Sequence, residues 1–129
     1  MKVVILIARI LLGLTFFVFG LNSFINFIPG APPTTGFAGA FIGALIGSRY
    51  VLFVGGIQLI GGVLLLINRF VPLALALLAP VIANIIVFHL TMEREGLPPG
   101  IVAAILWSIL AWNLRAYFAP LFVQKAVTS

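Results

Sequence analysis

Four long runs of apolar residues constrain the fold of this chain more than any other feature. A helix needs about 20 mainly apolar residues to cross a bilayer. The runs cover residues 3–27, 50–67, 71–91 and 101–123. Proline- and glycine-containing stretches separate them, such as "IPGAPPTTG" and "MEREGLPPG". Since two of the three separators are short, neighbouring helices should be antiparallel. The chain is therefore predicted to be an all-α integral membrane protein, a four-helix bundle forming one domain over residues 1–129.

Composition agrees with a membrane protein. Hydrophobic residues make up 64% of the chain and charged residues 7%, whereas a soluble domain is about one quarter charged. The net charge is +5, but the basic residues are scattered singly. That pattern indicates contact with anionic lipid headgroups rather than with nucleic acid. Cysteine is absent, which excludes disulfides, thiolate metal sites and cysteine nucleophiles.

The apolar stretch 37–47, "FAGAFIGALIG", is too short to span a bilayer by itself. Joined to the run at 50–67, it would give a helix of about 47 Å for a bilayer of about 30 Å. It is predicted to be a short helix that lies at the membrane surface or dips into it. Gly39, Gly43 and Gly47 are spaced by four, and such small faces let helices approach closely. This glycine face could pack on another helix of the same chain or on a second copy in a homo-oligomer, and the sequence does not distinguish the two.

The basic residues predict the orientation in the membrane. Four of them fall on the side of the N-terminus and two on the other side, which favours cytoplasmic termini in a plasma (inner) membrane. The first group is Lys2, Arg69, Arg115 and Lys125, and the second is Arg49 and Arg94. The first apolar run is longer than the roughly 7–15 apolar residues of a signal peptide, so it is expected to be retained.

Polar side chains near mid-depth are costly in lipid and are therefore candidates for function. Gln58, Asn84 and Ser108 lie close to the middle of their helices, with Trp107 beside Ser108. They either form hydrogen bonds between helices or orient a ligand inside the bundle. Pro80 is expected to kink its helix, and Asn84, one turn later, could bond a backbone carbonyl.

A second group lies toward the outer surface. Asn22, Asn26 and His89 could form a pocket under the outer loops, in which His89 donates a hydrogen bond or shuttles a proton. The alternative is that His89 only extends toward the headgroups. Asn84 and His89 are five residues apart, about 140° around a helix, so they do not share a face.

Two arginines lie inside the spans toward the inner surface. Arg9 and Arg115 are about 9 Å and about 8 Å from the centres of their helices, and no acidic residue is near them in this topology. Their side chains have three alternatives: they can extend to lipid phosphates, bond helix-end carbonyls or bind an anionic group. We expect them to extend to lipid phosphates.

Three stretches carry a family resemblance. They are "RILLGLTFFVFGLNSFINFIP", "GGIQLIGGVLLLINRFVPLALALLAPVIANIIVFHL" and "LAWNLRAYFAPLF". The chain resembles the DoxX family of small four-helix membrane proteins. The resemblance implies a four-helix membrane bundle. The best-known members of the DoxX family were named as subunits of a thiosulfate:quinone oxidoreductase, and others associate with redox-stress proteins. Asn84, His89 and Arg115 match the family pattern, whereas Gln58 and Trp107 stand where relatives often carry glutamate.

These observations give three hypotheses for function. The first is an accessory protein, without catalytic activity of its own, that binds a quinone-like or lipid-like molecule in the bundle or a partner protein. The second is a membrane subunit of a quinone-linked oxidoreductase whose redox cofactors belong to partner subunits. The third, a small transporter, is disfavoured because no acidic residue lies in a span. The predicted ligand-binding residues are His89, Asn84, Gln58, Asn22, Asn26 and Trp107, with Arg9 and Arg115 for an anionic headgroup and no metal ligands.

Overall fold

A computed structural model of the chain describes residues 1–30 and 32–128. These residues form helices and contain no β-strand. The helices are α1 (Lys2–Ile25), α2 (Gly36–Gly47), α3 (Tyr50–Ile67), α4 (Val71–Thr91), α5 (Leu97–Asn113) and α6 (Arg115–Phe118), with 3-10 turns at Arg94–Gly96 and Ala119–Phe122. Four of them, α1, α3, α4 and α5 with its preceding turn, are long and apolar enough to cross a membrane. The predicted all-α membrane fold is confirmed.

The last long helix differs from the predicted span at both ends. It begins at Leu97 rather than at residue 101, and Pro98 and Pro99 stand in its first turn. Proline is well tolerated there because the first N–H groups of a helix have no partner within it. The helix ends at Asn113 rather than at residue 123. Leu114 then departs from helical geometry, with φ −105° and ψ 20°, before α6 begins.

The four long helices form a ring. Helix α1 packs on α3 and α5, and α4 packs on the same two helices. Neighbours in the ring are antiparallel, as the short connections predicted. The centre is filled by leucines that are almost completely buried, namely Leu12, Leu65, Leu75, Leu78 and Leu110.

Glycines bring α1 and α3 into backbone contact. A Cβ atom on Gly20 would lie 2.6 Å from the backbone nitrogen of Leu59, and one on Gly62 would lie 2.5 Å from that of Phe17. Helices in lipid associate through such close packing, because lipid tails are as apolar as the helix surfaces and provide no hydrophobic drive. This interface is the most extensive in the bundle.

The short helix α2 lies between α1 and α3 along the chain and packs on α3. Arg49, in the left-handed region with φ 66°, interrupts the helix between α2 and α3. Phe41 also stacks on Phe88 of α4, with ring centroids 5.4 Å apart. Cβ atoms on Gly43 or Gly47 would meet no atom within 4 Å. Within the described residues, this part of the small-residue face therefore has no neighbour.

Candidate binding site

The two outer asparagines end helix α1. The Oδ1 atom of Asn22 accepts hydrogen bonds from the backbone N–H groups of Phe27 and Ile28, both at 2.8 Å. Asn26 follows the helix in the left-handed region, with φ 47°. Asparagine adopts this conformation more readily than most residues, because its side chain can bond locally. Both residues therefore have a structural role at the α1 terminus.

His89 connects the end of α4 to the turn before α5. Its Nδ1 atom lies 2.8 Å from the backbone oxygen of Glu93 and 3.6 Å from the Glu93 carboxylate. To donate to that carbonyl, Nδ1 must carry the proton. The same carboxylate accepts the N–H of Gly96 at 2.8 Å. The ring packs on Gly96 so closely that a Cβ there would come within 2.8 Å of Nδ1.

At mid-depth, two of the predicted polar residues bond within their own helices. Asn84 donates to the backbone oxygen of Pro80 at 2.7 Å, and Ser108 donates to that of Ala104 at 2.7 Å. The bond from Asn84 is the contact with a backbone carbonyl that the sequence suggested. The described hydrogen bonds of both side chains therefore lie within one helix and not between helices. Asn84 and Ser108 are exposed on the bundle surface.

Trp107 does connect two helices. Its indole N–H donates to the backbone oxygen of Leu75 at 2.8 Å and so joins α5 to α4. Gln58 is half-buried on α3. The six residues predicted to bind a ligand are thus divided among the α1 terminus, the α4–α5 turn and separate helix surfaces. The structure does not bring them together into one pocket.

A cavity of about 590 Å³ lies instead at the end of the bundle where α1 and α4 begin. Helices α1, α4, α5 and α6 and the α3–α4 turn all contribute to it. Its lining residues are Met1, Lys2, Ile5, Leu6, Arg9, Asn68, Val71, Pro72, Leu110, Asn113, Leu114 and Tyr117. We call it the Arg9 cavity.

Arg9 is fixed in the cavity wall by helix α3. Its Nη1 atom donates to the backbone oxygen of Leu65 and, at 3.3 Å, to that of Leu66. The last four carbonyls of a helix have no partner within it, and a cation there is favourable. Arg9 therefore bonds helix-end carbonyls, one of the three alternatives for this residue. Contact of its other donors with lipid phosphates stays a prediction.

Arg115 belongs to a different surface. Its Nη1 atom donates to the backbone oxygen of Trp112 at 2.7 Å, and its guanidinium lies 4.5 Å from the centre of the Trp112 ring. Together with Trp107 and Phe118, both residues line a largely apolar groove of about 490 Å³ on α5. The two arginines predicted to contact headgroups thus lie in separate cavities.

The Arg9 cavity combines an apolar floor with a polar, positively charged wall. Val71 and Leu110 are buried at its base, and Lys2 and Arg9 supply positive charge. Sequence reasoning placed Arg9 at this depth but missed the contributions of Lys2 and Asn68. Comparing the polar residues near the same end of every helix would have identified Lys2, Arg9 and Asn68 as one group.

The comparisons with known proteins concern the first four helices. Searches of curated proteins and of solved structures gave no significant match. The DoxX family model matches residues 4–94, which covers well over half of the chain and extends from α1 through α4. The chain therefore belongs to the DoxX family.

Proposed function

We propose that this integral membrane protein is an accessory subunit without catalytic activity of its own, which holds a quinone-like or lipid-like molecule in the Arg9 cavity. The observation that carries this proposal is the mixed lining of an open cavity of about 590 Å³ at one end of the bundle. Small-molecule sites typically combine an apolar lining with a few polar groups that fix orientation.

The lining favours an amphiphile over a purely polar or purely apolar ligand. Val71 and Leu110 offer buried apolar contact at the base, while Asn68 and Asn113 offer amide donors and acceptors. A purely apolar molecule would make no hydrogen bond to these amides or to the remaining donors of Arg9. A molecule with a polar head and an apolar tail satisfies both parts of the wall.

The centre of the bundle supports this position for the ligand. Leu12, Leu75 and Leu78 are fully buried there and fill the space between the helices. A ligand at mid-depth would have to displace these side chains at a cost of several kcal/mol, since a close-packed core tolerates little added volume. The end of the bundle accommodates a ligand without such displacement.

The alternative is a subunit of a quinone-linked oxidoreductase that uses the same cavity. The two carbonyl oxygens of a quinone accept hydrogen bonds, and Arg9 and Lys2 are donors without acceptor capacity. In that case, the redox cofactors belong to partner subunits. Copurification of such subunits together with bound quinone would favour this alternative over an accessory lipid-binding role.

Blocking the cavity mouth tests the proposal. Leu6 lines the cavity and is 50% exposed, whereas Leu14 lies on the same helix, is 45% exposed and is not a lining residue. We expect the wild-type protein to copurify with an amphiphile, detected by native mass spectrometry. Leu6→Trp should reduce its occupancy by about tenfold, equivalent to about 1.4 kcal/mol, and Leu14→Trp should retain it. Equal retention in both variants would contradict the proposal.

A further inference from the structure

We infer that the Arg9 cavity selects an amphiphile whose head carries an anionic group of the phosphate or carboxylate type. This inference rests on the proposed function and specifies the chemical class of its ligand. The feature that carries it is the uncompensated positive charge of the cavity. Lys2 and Arg9 both line it, and none of its lining residues is acidic.

The acidic residues of the chain are too far away to neutralise this charge. The sequence contains two of them, Glu93 and Glu95, and both lie between α4 and α5. The cavity contains Val71 and Pro72 at the start of α4, so the 21-residue length of that helix separates the two ends. At about 1.5 Å per residue this is about 30 Å, far beyond the range of an ion pair or a hydrogen bond.

The helix dipoles do not supply a counter-charge. Helices α1 and α4 begin at this end of the bundle, and α3 and α5 end there. Two partial positive and two partial negative charges therefore nearly cancel. In addition, Arg9 already donates to the carbonyls of Leu65 and Leu66 at the end of α3. The charged side chains that line the cavity are consequently those of Lys2 and Arg9.

Arg9 is also prepared geometrically to bind an anion. Its described hydrogen bonds all start from Nη1, so the donors on Nε and Nη2 are available to a ligand. These nitrogens form one edge of the guanidinium, and such an edge binds two oxygens of a carboxylate or phosphate at once. Because α3 holds the side chain in place, little conformational entropy is lost when a ligand binds.

The cavity can take the anionic head but not a whole membrane lipid. Its volume of about 590 Å³ is within the range of about 300–1,000 Å³ typical of small-molecule sites. Apolar residues such as Ile5 and Leu114 line the remaining wall, and the first carbons of a tail can pack there. The exposed Leu6 then provides an apolar surface toward the bilayer. Partial removal from water strengthens the attraction between the head and the two cations.

The test compares three probes on the purified full-length chain in neutral maltoside detergent. Dodecyl phosphate has an anionic head and a tail, inorganic phosphate has the anion alone, and a short-chain ubiquinone has a neutral head. Dissociation constants come from the ligand-dependent rise of the unfolding midpoint. The variants are Lys2→Gln and Arg9→Gln, with Arg69→Gln as matched control, because Arg69 lies at the same end of the bundle but does not line the cavity.

Dodecyl phosphate should bind the wild type about tenfold more tightly than ubiquinone. Lys2→Gln and Arg9→Gln should each weaken its binding about fivefold, as expected for one basic residue near an anionic headgroup, while Arg69→Gln changes it by less than about twofold. Arg9→Gln also removes the contact with α3 and thereby weakens the bundle. Lys2→Gln avoids this difficulty because Lys2 is exposed at the start of α1. Competition by inorganic phosphate would assign a soluble anion as a ligand, and lack of competition would assign a tailed one.

Equal affinity for ubiquinone and dodecyl phosphate would overturn the inference. So would loss of affinity in Arg69→Gln as large as that in Lys2→Gln. In both cases the proposed function would stand if Leu6→Trp still reduced binding of the amphiphile. If Leu6→Trp bound every probe as the wild type does, the cavity would not be the site and both proposals would fail.

Discussion

Backbone carbonyls are the acceptors for most of the polar side chains within the long helices. In hydrocarbon, a polar group that lacks a hydrogen bond costs several kcal/mol, and water is not present to compensate. Asn84 and Ser108 meet this requirement inside their own helices. Arg9 and Trp107 meet it across a helix boundary, so these two residues also join neighbouring helices in the bundle.

Removing the Trp107 hydrogen bond should destabilise the bundle measurably. In Trp107→Phe the ring still fills most of the space, but the bond to Leu75 is lost. We expect the free energy of unfolding to fall by about 0.6–1.7 kcal/mol, the range for such bonds in membrane proteins. Reversible unfolding in mixed micelles measures the change. Trp112→Phe is the control, because Trp112 is 69% exposed, and an equal loss there would contradict the role of the hydrogen bond.

The candidate residues were easier to find from the sequence than their partners. Gln58, Asn84 and Ser108 were recognised because polar residues are rare in these spans. Whether such a residue faces a neighbouring helix depends on how each helix is rotated, and apolar runs without a polar face do not fix the rotation. Arg9 shows the same limit: its depth followed from helix rise, but its contact with Leu65 required the packing of α3.

At the scale of helices, the α1–α3 interface depends on residues without side chains. A Cβ on Gly62 would lie 2.5 Å from the backbone nitrogen of Phe17 and 2.9 Å from the backbone oxygen of Gly13. Backbone atoms cannot move aside as a flexible side chain can. The two helices would therefore have to separate along the interface, which also contains the close approach at Gly20.

Gly62→Ala should consequently weaken the bundle, although alanine is the better helix former. We expect a loss of about 1–3 kcal/mol in the free energy of unfolding, typical of overpacking. Gly56→Ala is a matched control on the same helix, since its Cβ would come no closer than 4.0 Å to Phe24. That control should be neutral or slightly stabilising. Equal effects of the two substitutions would show that backbone contact between α1 and α3 does not limit stability.

Helix positions were predictable to different degrees. The boundaries of α3 and α4 followed from the apolar runs, because "NRF" and Pro72 interrupt the run between them. The end of α5 did not, since the residues after Asn113 remain largely apolar while the backbone departs from helical geometry at Leu114. Hydropathy measures solubility in lipid and is insensitive to a break of this kind.

For the whole molecule, the fold was predictable and the Arg9 cavity was not. Four apolar runs in a chain of this length allow few arrangements other than an antiparallel bundle. The cavity, by contrast, forms because the ends of four helices and a turn fail to close the space between Lys2, Asn68 and Asn113. Its existence depends on helix tilt and length at one end, which no single segment of the sequence specifies.

The orientation of the molecule decides which leaflet the Arg9 cavity meets, and cysteine labelling can measure it. The chain has no cysteine, so in a variant with one introduced cysteine all labelling of this protein comes from that position. Arg94 lies at the α4–α5 turn and Lys125 lies beyond α6, and both are exposed. With cytoplasmic termini, an impermeant maleimide should label Arg94→Cys in intact cells and Lys125→Cys only after permeabilisation.

The expected orientation would place the cavity at the cytoplasmic leaflet, whose anionic lipids supply heads of the charge that Lys2 and Arg9 attract. Thr34→Cys, in the exposed loop between α1 and α2, should be labelled together with Arg94→Cys, because both lie at the same end of the bundle. Labelling of Lys125→Cys in intact cells, with Thr34→Cys and Arg94→Cys protected, would reverse the topology. The cavity would then open to the outer surface, and its anionic ligand would have to come from that side of the membrane.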